Sequence, residues 1–214
     1  MKFLGITIDN QLKFQEHYQN VVKKLRTGLN GLILSKNILD YKAKLIVYHS
    51  LIHSHINYCP LVWLPNITSK EKKILINIQK KAVRIIFKAK YNEHTSKLFN
   101  KSNITKVENI VKKESIIITY KFLKNETPMA INDLYTKNIE TNLRETRGSE
   151  NNFLKMKKGL KKGEVMFEIL NNWNTTKKDI RFQQNIKCLK KALSKEMNKV
   201  VPCKTKNCYS CKRS

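Results

Sequence analysis

From residue 15 onward, apolar side chains recur at the spacing of a single helix face, and this periodicity confines the chain to a mainly α fold. Tyr18, Val21, Val22, Leu25, Leu29, Leu32 and Ile33 fall on one side, while Lys23, Lys24 and Arg26 fall elsewhere. Gly28 and Gly31 lower helix propensity there but permit close packing. Asp40 is placed to N-cap a second helix carrying Leu45, Tyr48, Ile52 and Ile56, which Pro60 should end near Tyr58. "LVWLPNIT" reads as a short apolar connector. Thr68 with Glu71, and Thr105 with Glu108, are capping-box pairs that start helices over about 69–90 and 106–124. The second of these carries Val107, Ile110, Val111, Ile117, Ile118 and Phe122, and "NETP" ends it. A last amphipathic helix sets Ile186, Leu189, Leu193 and Met197 against Lys187, Lys190, Lys191 and Lys195.

The N-terminus departs from this period. Lys2–Asp9 alternates, with Leu4, Ile6 and Ile8 on one side; Asp9 and Asn10 offer turn chemistry, and Leu12–Phe14 resumes the apolar pattern. The reading is a β-hairpin turning at Asp9–Asn10. A lone hairpin is marginal in water, so either the helices cover it or it closes a larger domain. The expected organisation is a hairpin at 1–14, a helical bundle at 15–125, and a polar linker at 126–164 holding the basic loop "KMKKGLKKG". A looser helical region at 165–200 and a cysteine-containing basic tail at 201–214 complete it.

Charge narrows the partners. Lys and Arg total 43 against 16 Asp and Glu, a formal net charge of +27. Such an excess favours a polyanion, nucleic acid before anionic membrane. A/T-rich codons also inflate Lys, Asn and Ile together, but they do not explain where the charges sit. On the 69–90 helix, Leu75, Ile78, Ala82, Ile85 and Ile86 cluster on one side. Lys73, Asn77, Lys80, Arg84 and Lys88 line the other, and Glu71 is the helix's one acid. Solvated faces ordinarily mix signs; this one does not, which sets phosphate contact beside simple solvation as its role. Lys158, Lys161 and Lys162 in the glycine-punctuated loop form a second candidate patch.

The residues for catalysis are sparse. The four aspartates, Asp9, Asp40, Asp133 and Asp179, are never adjacent, whereas two-metal phosphoryl transfer needs carboxylates converging on ions about 3.5–4 Å apart. No phosphate-binding glycine loop or serine elbow occurs. His49 and His53 share a helix face but lack the glutamate of a His-Glu-x-x-His motif, so partly buried polar contacts are the expectation. Cys203, Cys208 and Cys211 form C-x4-C-x2-C, three thiolates where structural zinc needs four ligands, so zinc is a weak candidate and no cofactor is expected. Cys59, beside Pro60, reads as a small buried apolar residue. "LIVYHSLIHSHINYCPLVWL" carries three histidines and is rejected as a membrane span. With no secretory leader evident, reduced thiols inside the cell are expected.

Taken in order, "KFLGITIDNQLKFQEHYQNVVKKL", "YHSLIHSHINYCPLVWLPN" and "LINIQKKAVRIIFKAKYNEHTSKLF" resemble the region after the catalytic palm in reverse transcriptases of non-LTR, jockey-like retrotransposons. "ETRGSENNF", "WNTTKKDIR" and "NIKCLKKALSKEM" resemble the tail of the same polyproteins, with Thr175 and Thr176 where the family often has Leu-Pro. The resemblance implies that Phe3, Leu4 and Gly5 sit on a primer-positioning hairpin and that the helices after it form the thumb. The family's paired catalytic aspartates, which bind Mg, have no counterpart here. It therefore implies a chain that grips template–primer RNA or DNA through phosphates while palm and fingers encoded elsewhere extend it. An unrelated or repurposed basic RNA- or DNA-binding scaffold is the alternative. A peripheral membrane protein is a third, disfavoured because the helices have partners in one another.

Overall fold

The computed structural model describes residues 1–139, 154–161 and 164–197. The described chain is mainly helical behind a two-stranded antiparallel hairpin, as the periodicity predicts. It divides into two compact units, Met1–Ile110 and Val111–Glu196.

In the first unit, β1 (Lys2–Phe3) pairs with β2 (Ile6–Thr7) in the register Lys2↔Thr7 and Phe3↔Ile6. The hairpin therefore turns at Leu4–Gly5 and not at Asp9–Asn10. A two-residue turn that matches strand twist needs left-handed backbone at both central positions; Leu4 has φ 44° and Gly5 φ +81°. Asp9 enters a different turn, its Oδ1 accepting the N–H groups of Gln11 (3.0 Å) and Lys13 (2.9 Å). Leu12 and Phe14 are then left-handed, which rules out a second long strand.

Helix α1 (Gln15–Leu34) buries Tyr18, Val21, Val22, Leu25, Leu29 and Leu32, while Ile33 stays exposed. Asp40 caps α2 (Tyr41–Tyr48) by accepting the Ala43 N–H at 2.7 Å. One π-helical turn (His49–His53) joins α2 to the short α3 (Ser54–Ile56), which fails before Tyr58 as Pro60 requires. Gly28 lies where this turn crosses α1, so near that a Cβ there would sit 2.9 Å from the Leu51 carbonyl oxygen. Cys59 corrects an expectation. It is exposed, with φ 43°, because it precedes α4 (Pro60–Trp63) as a left-handed N-cap.

Helix α5 (Ser69–Ile86) packs on α1, α2 and α6 (Ser96–Ser102). Its Thr68–Glu71 capping box is formed: the Thr68 N–H donates to Glu71 Oε2 at 2.7 Å and the Glu71 N–H to Thr68 Oγ1 at 3.3 Å. The helix ends at Ile86, four residues short of the expected 90. Lys88 takes the left-handed C′ position, and the Lys88 and Ala89 N–H groups return to the Ile85 and Arg84 carbonyls. Lysine there gives no sequence signal of the kind glycine would.

Helix α7 (Val107–Leu123) starts where Thr105–Glu108 predicts. In the second unit, its later residues meet α8 (Met129–Asn138), which lies inside the stretch expected to be linker. Tyr135 of α8 is buried, stacks on Phe122 at 4.5 Å and shares a 3.0 Å hydrogen bond with Thr119. That burial pushes its phenol up to about 12. Helices α9 (Val165–Asn174), α10 (Lys178–Arg181) and α11 (Ile186–Met197) follow. Trp173, Leu189 and Leu193 are buried, and Asn172 donates to Ser115 Oγ at 3.1 Å.

Candidate nucleic-acid interface

Helix α5 is seated by a buried polar network that fixes which side faces out. Gln79 is 1% exposed. Its Nε2 donates to Tyr48 Oη (2.9 Å) and to the Thr105 carbonyl (2.9 Å), and its Oε1 accepts the Val107 N–H (3.0 Å). One side chain thus ties α5 to α2 and to the start of α7 through three hydrogen bonds made at a buried position, where an unmade bond is costly. Leu75, Ile78, Ala82, Val83 and Ile86 fill the rest of the buried face. Burial of the Tyr48 ring raises its phenol far above the ordinary value.

Opposite that face, Lys73 and Asn77 are exposed and Lys80 and Arg84 half-buried; Lys88 is exposed beyond the helix end. Among the described residues, Lys73, Lys80 and Lys88 form no salt bridge. Glu71 does not dilute the row, because its carboxylate is spent on the cap. Acids do approach its middle: Lys80 and Arg84 border a cavity of about 270 Å³ shared with Glu93, Lys106 and Glu108. Arg84 is also oriented by the chain after α5, its Nε–H donating to the Glu93 carbonyl at 3.1 Å and its guanidinium lying 5.9 Å from the Tyr91 ring centre.

On the other flank of α5 lies a groove of about 450 Å³. Ile33, Lys36 and Asn37 form one wall, Lys81, Arg84 and Ile85 the second, and Lys88, Ala89 and Tyr91 close it. Four of these nine residues are cations and none is an acid. Sequence reasoning missed Lys36, Lys81 and Tyr91. Lys81 sits one residue from the row, but Lys36 reaches the groove only through the packing of α1 on α5.

The hairpin tip carries Phe3 (56% exposed) and Leu4 (74% exposed), and Tyr58 Oη donates to the Leu4 carbonyl. Beneath it, a cavity of about 920 Å³ runs along α1, bordered by Lys2, Glu16, His17, Lys23, Lys24 and His55, among others. His17 accepts the Thr7 N–H at Nδ1 (3.4 Å) and meets Trp63 edge-on at 5.4 Å. Burial first, and the Lys24 charge second, hold the His17 and His55 imidazoles below the usual histidine value.

Lys158 and Lys161 are exposed in the second unit, Lys158 in a tight turn where Gly159 takes φ +108°. Lys162, Cys203, Cys208 and Cys211 are outside the described residues. His49 and His53 stand edge to face at 5.3 Å, and the Tyr48 ring lies near both. Among the described residues, no group of three or more His, Cys, Asp or Glu is arranged to hold a metal ion, and no helix is long and apolar enough to cross a membrane. No family model, curated protein or solved structure matches the chain.

Proposed function

We propose that this chain is a nucleic-acid-gripping part of an RNA-directed DNA polymerase of the non-LTR retrotransposon type, acting as a thumb while a palm encoded elsewhere performs synthesis. The observation that carries the reading is the single-sign outer face of α5, from Lys73 through Asn77 and Lys80 to Arg84, continued by Lys88 just past the helix end and held opposite a buried face. A thumb grips duplexes of any sequence, so it contacts phosphates and sugars and leaves base edges unread. Lysines on a rigid helix suit that task. The chain's own aspartates suit other tasks: Asp9 holds a turn and Asp40 a helix cap. Asp133 and Asp179 are exposed on short helices of the second unit.

The test is a gel-shift titration on RNA–DNA and DNA duplexes over a salt series, beside a primer-extension assay. A face touching about six phosphates gives log K against log salt a slope of roughly −5 on a duplex, and no primer is extended. Salt-independent affinity removes the case for the row. Binding without a palm reading frame in the genomic DNA upstream transfers the chain to a basic RNA- or DNA-binding scaffold.

A further inference from the structure

The groove beside α5 differs from the row in one respect: it has an aromatic ring. Tyr91 is 83% exposed, an unusual position for a large ring with an apolar floor of Ile33, Ile85 and Ala89 beside it. Arg84 lies over the ring and is itself pinned to the Glu93 carbonyl. Lys36 from the turn after α1, Lys81 from α5 and Lys88 from the left-handed turn surround the same space. Lys81, Arg84 and Lys88 near the C-terminus of α5, and Lys36 just past the C-terminus of α1, also answer the helix dipoles, but that role asks nothing of an exposed tyrosine.

We propose that this groove seats one unpaired nucleotide of a single-stranded nucleic acid, its base on the Tyr91 ring and its phosphates among Lys36, Lys81 and Lys88. The inference rests on the nucleic-acid reading above and specifies the strand form at a groove that shares Arg84 and Lys88 with the row. The volume, about 450 Å³, falls in the range of roughly 300–1,000 Å³ typical of small-ligand sites. Charge selects the occupant: an all-cation rim suits a polyanion. The ring selects further, because stacking on an aromatic face between cations is how sequence-tolerant single-strand sites work. A duplex keeps its bases stacked inside and offers the ring nothing.

The experiment measures fluorescence anisotropy of the full chain with labelled oligo(dT), oligo(rU) and a mixed-sequence duplex at fixed salt. Tyr91→Ala is expected to weaken single-strand binding about 5- to 150-fold, the loss of one stacked base, while duplex affinity is unchanged. Tyr91→Phe retains the wild-type value. Because Tyr91 is exposed, neither variant disturbs the core. Loss of single-strand and duplex affinity alike, or of neither, overturns the stacking site and leaves the duplex grip standing. Polyglutamate bound as tightly as oligo(dT) overturns it too, by showing an acid-binding groove with no use for a base. A wild-type chain that binds no nucleic acid refutes the thumb reading itself.

Discussion

Replacing Gln79 tests whether α5 is positioned as described. Gln79→Leu keeps nearly the same volume but withdraws one acceptor and two donated bonds, taking a hydrogen bond from each of the Val107 N–H, the Thr105 carbonyl and the Tyr48 hydroxyl. Each orphaned buried group costs about 1–3 kcal/mol. Some relaxation at the Tyr48 hydroxyl brings the expected total to roughly 3–5 kcal/mol, at the high end for a single substitution. With m near 2 kcal/mol/M in urea, the midpoint drops by about 1.5–2.5 M. The assay is urea unfolding read by tryptophan fluorescence. Trp63 is buried in the same unit as Gln79 and Trp173 in the other, so a Trp173→Phe background isolates the first unit. Gln19→Leu, exposed on α1, is the control and moves the midpoint little. A shift below about 0.5 M for Gln79→Leu refutes the buried network, and with it the claim that α5 is locked in one rotation about its axis.

The two glycines of α1 make a matched pair. Gly28→Ala is destabilising, since its Cβ meets the Leu51 backbone, whereas Gly31→Ala opens onto free space and gains about 0.5–1 kcal/mol of helix propensity; thermal unfolding of both variants checks the opposite signs. Charge reversal of Lys73, Lys80, Arg84 and Lys88 to glutamate together is expected to abolish duplex binding with helicity by circular dichroism unchanged; retained binding points to Lys158 and Lys161 instead. Stability should also follow histidine protonation. His17, His49 and His55 are all held below the ordinary value of 6.5, by burial first. The unfolded chain therefore binds protons more readily than the folded one. Their contribution is full above about pH 6.5 and declines as pH falls through the depressed native values. A melting temperature that rises between pH 7.5 and 5.5 contradicts this, and His17→Gln should flatten the decline.

Much of this architecture is legible residue by residue. Tyr18 to Leu32 on α1, Leu75 to Ile86 on α5 and Leu189 to Leu193 on α11 have the burial their spacing predicts, because a helix face is set by local geometry alone. The caps at Asp40 and Thr68 are equally local, each needing a partner only three residues away. The row on α5 follows from the same wheel, and so does its orientation away from the core.

What the order of residues determined, then, is where helices form, where they start and which side of each is greasy. Contacts distant along the chain decided the rest. Gln79 reads as one more polar residue until Tyr48 and Val107, 31 and 28 positions away, converge on its amide. Tyr58, 54 positions from Leu4, donates its hydroxyl to the carbonyl of the hairpin turn, a contact no local pattern announces. The groove with Tyr91 needs α1 laid along α5 before Lys36 can face Lys81. Periodicity is written in single hydrogen-bonded turns; a binding surface assembled from several helices exists only once the chain has folded back on itself.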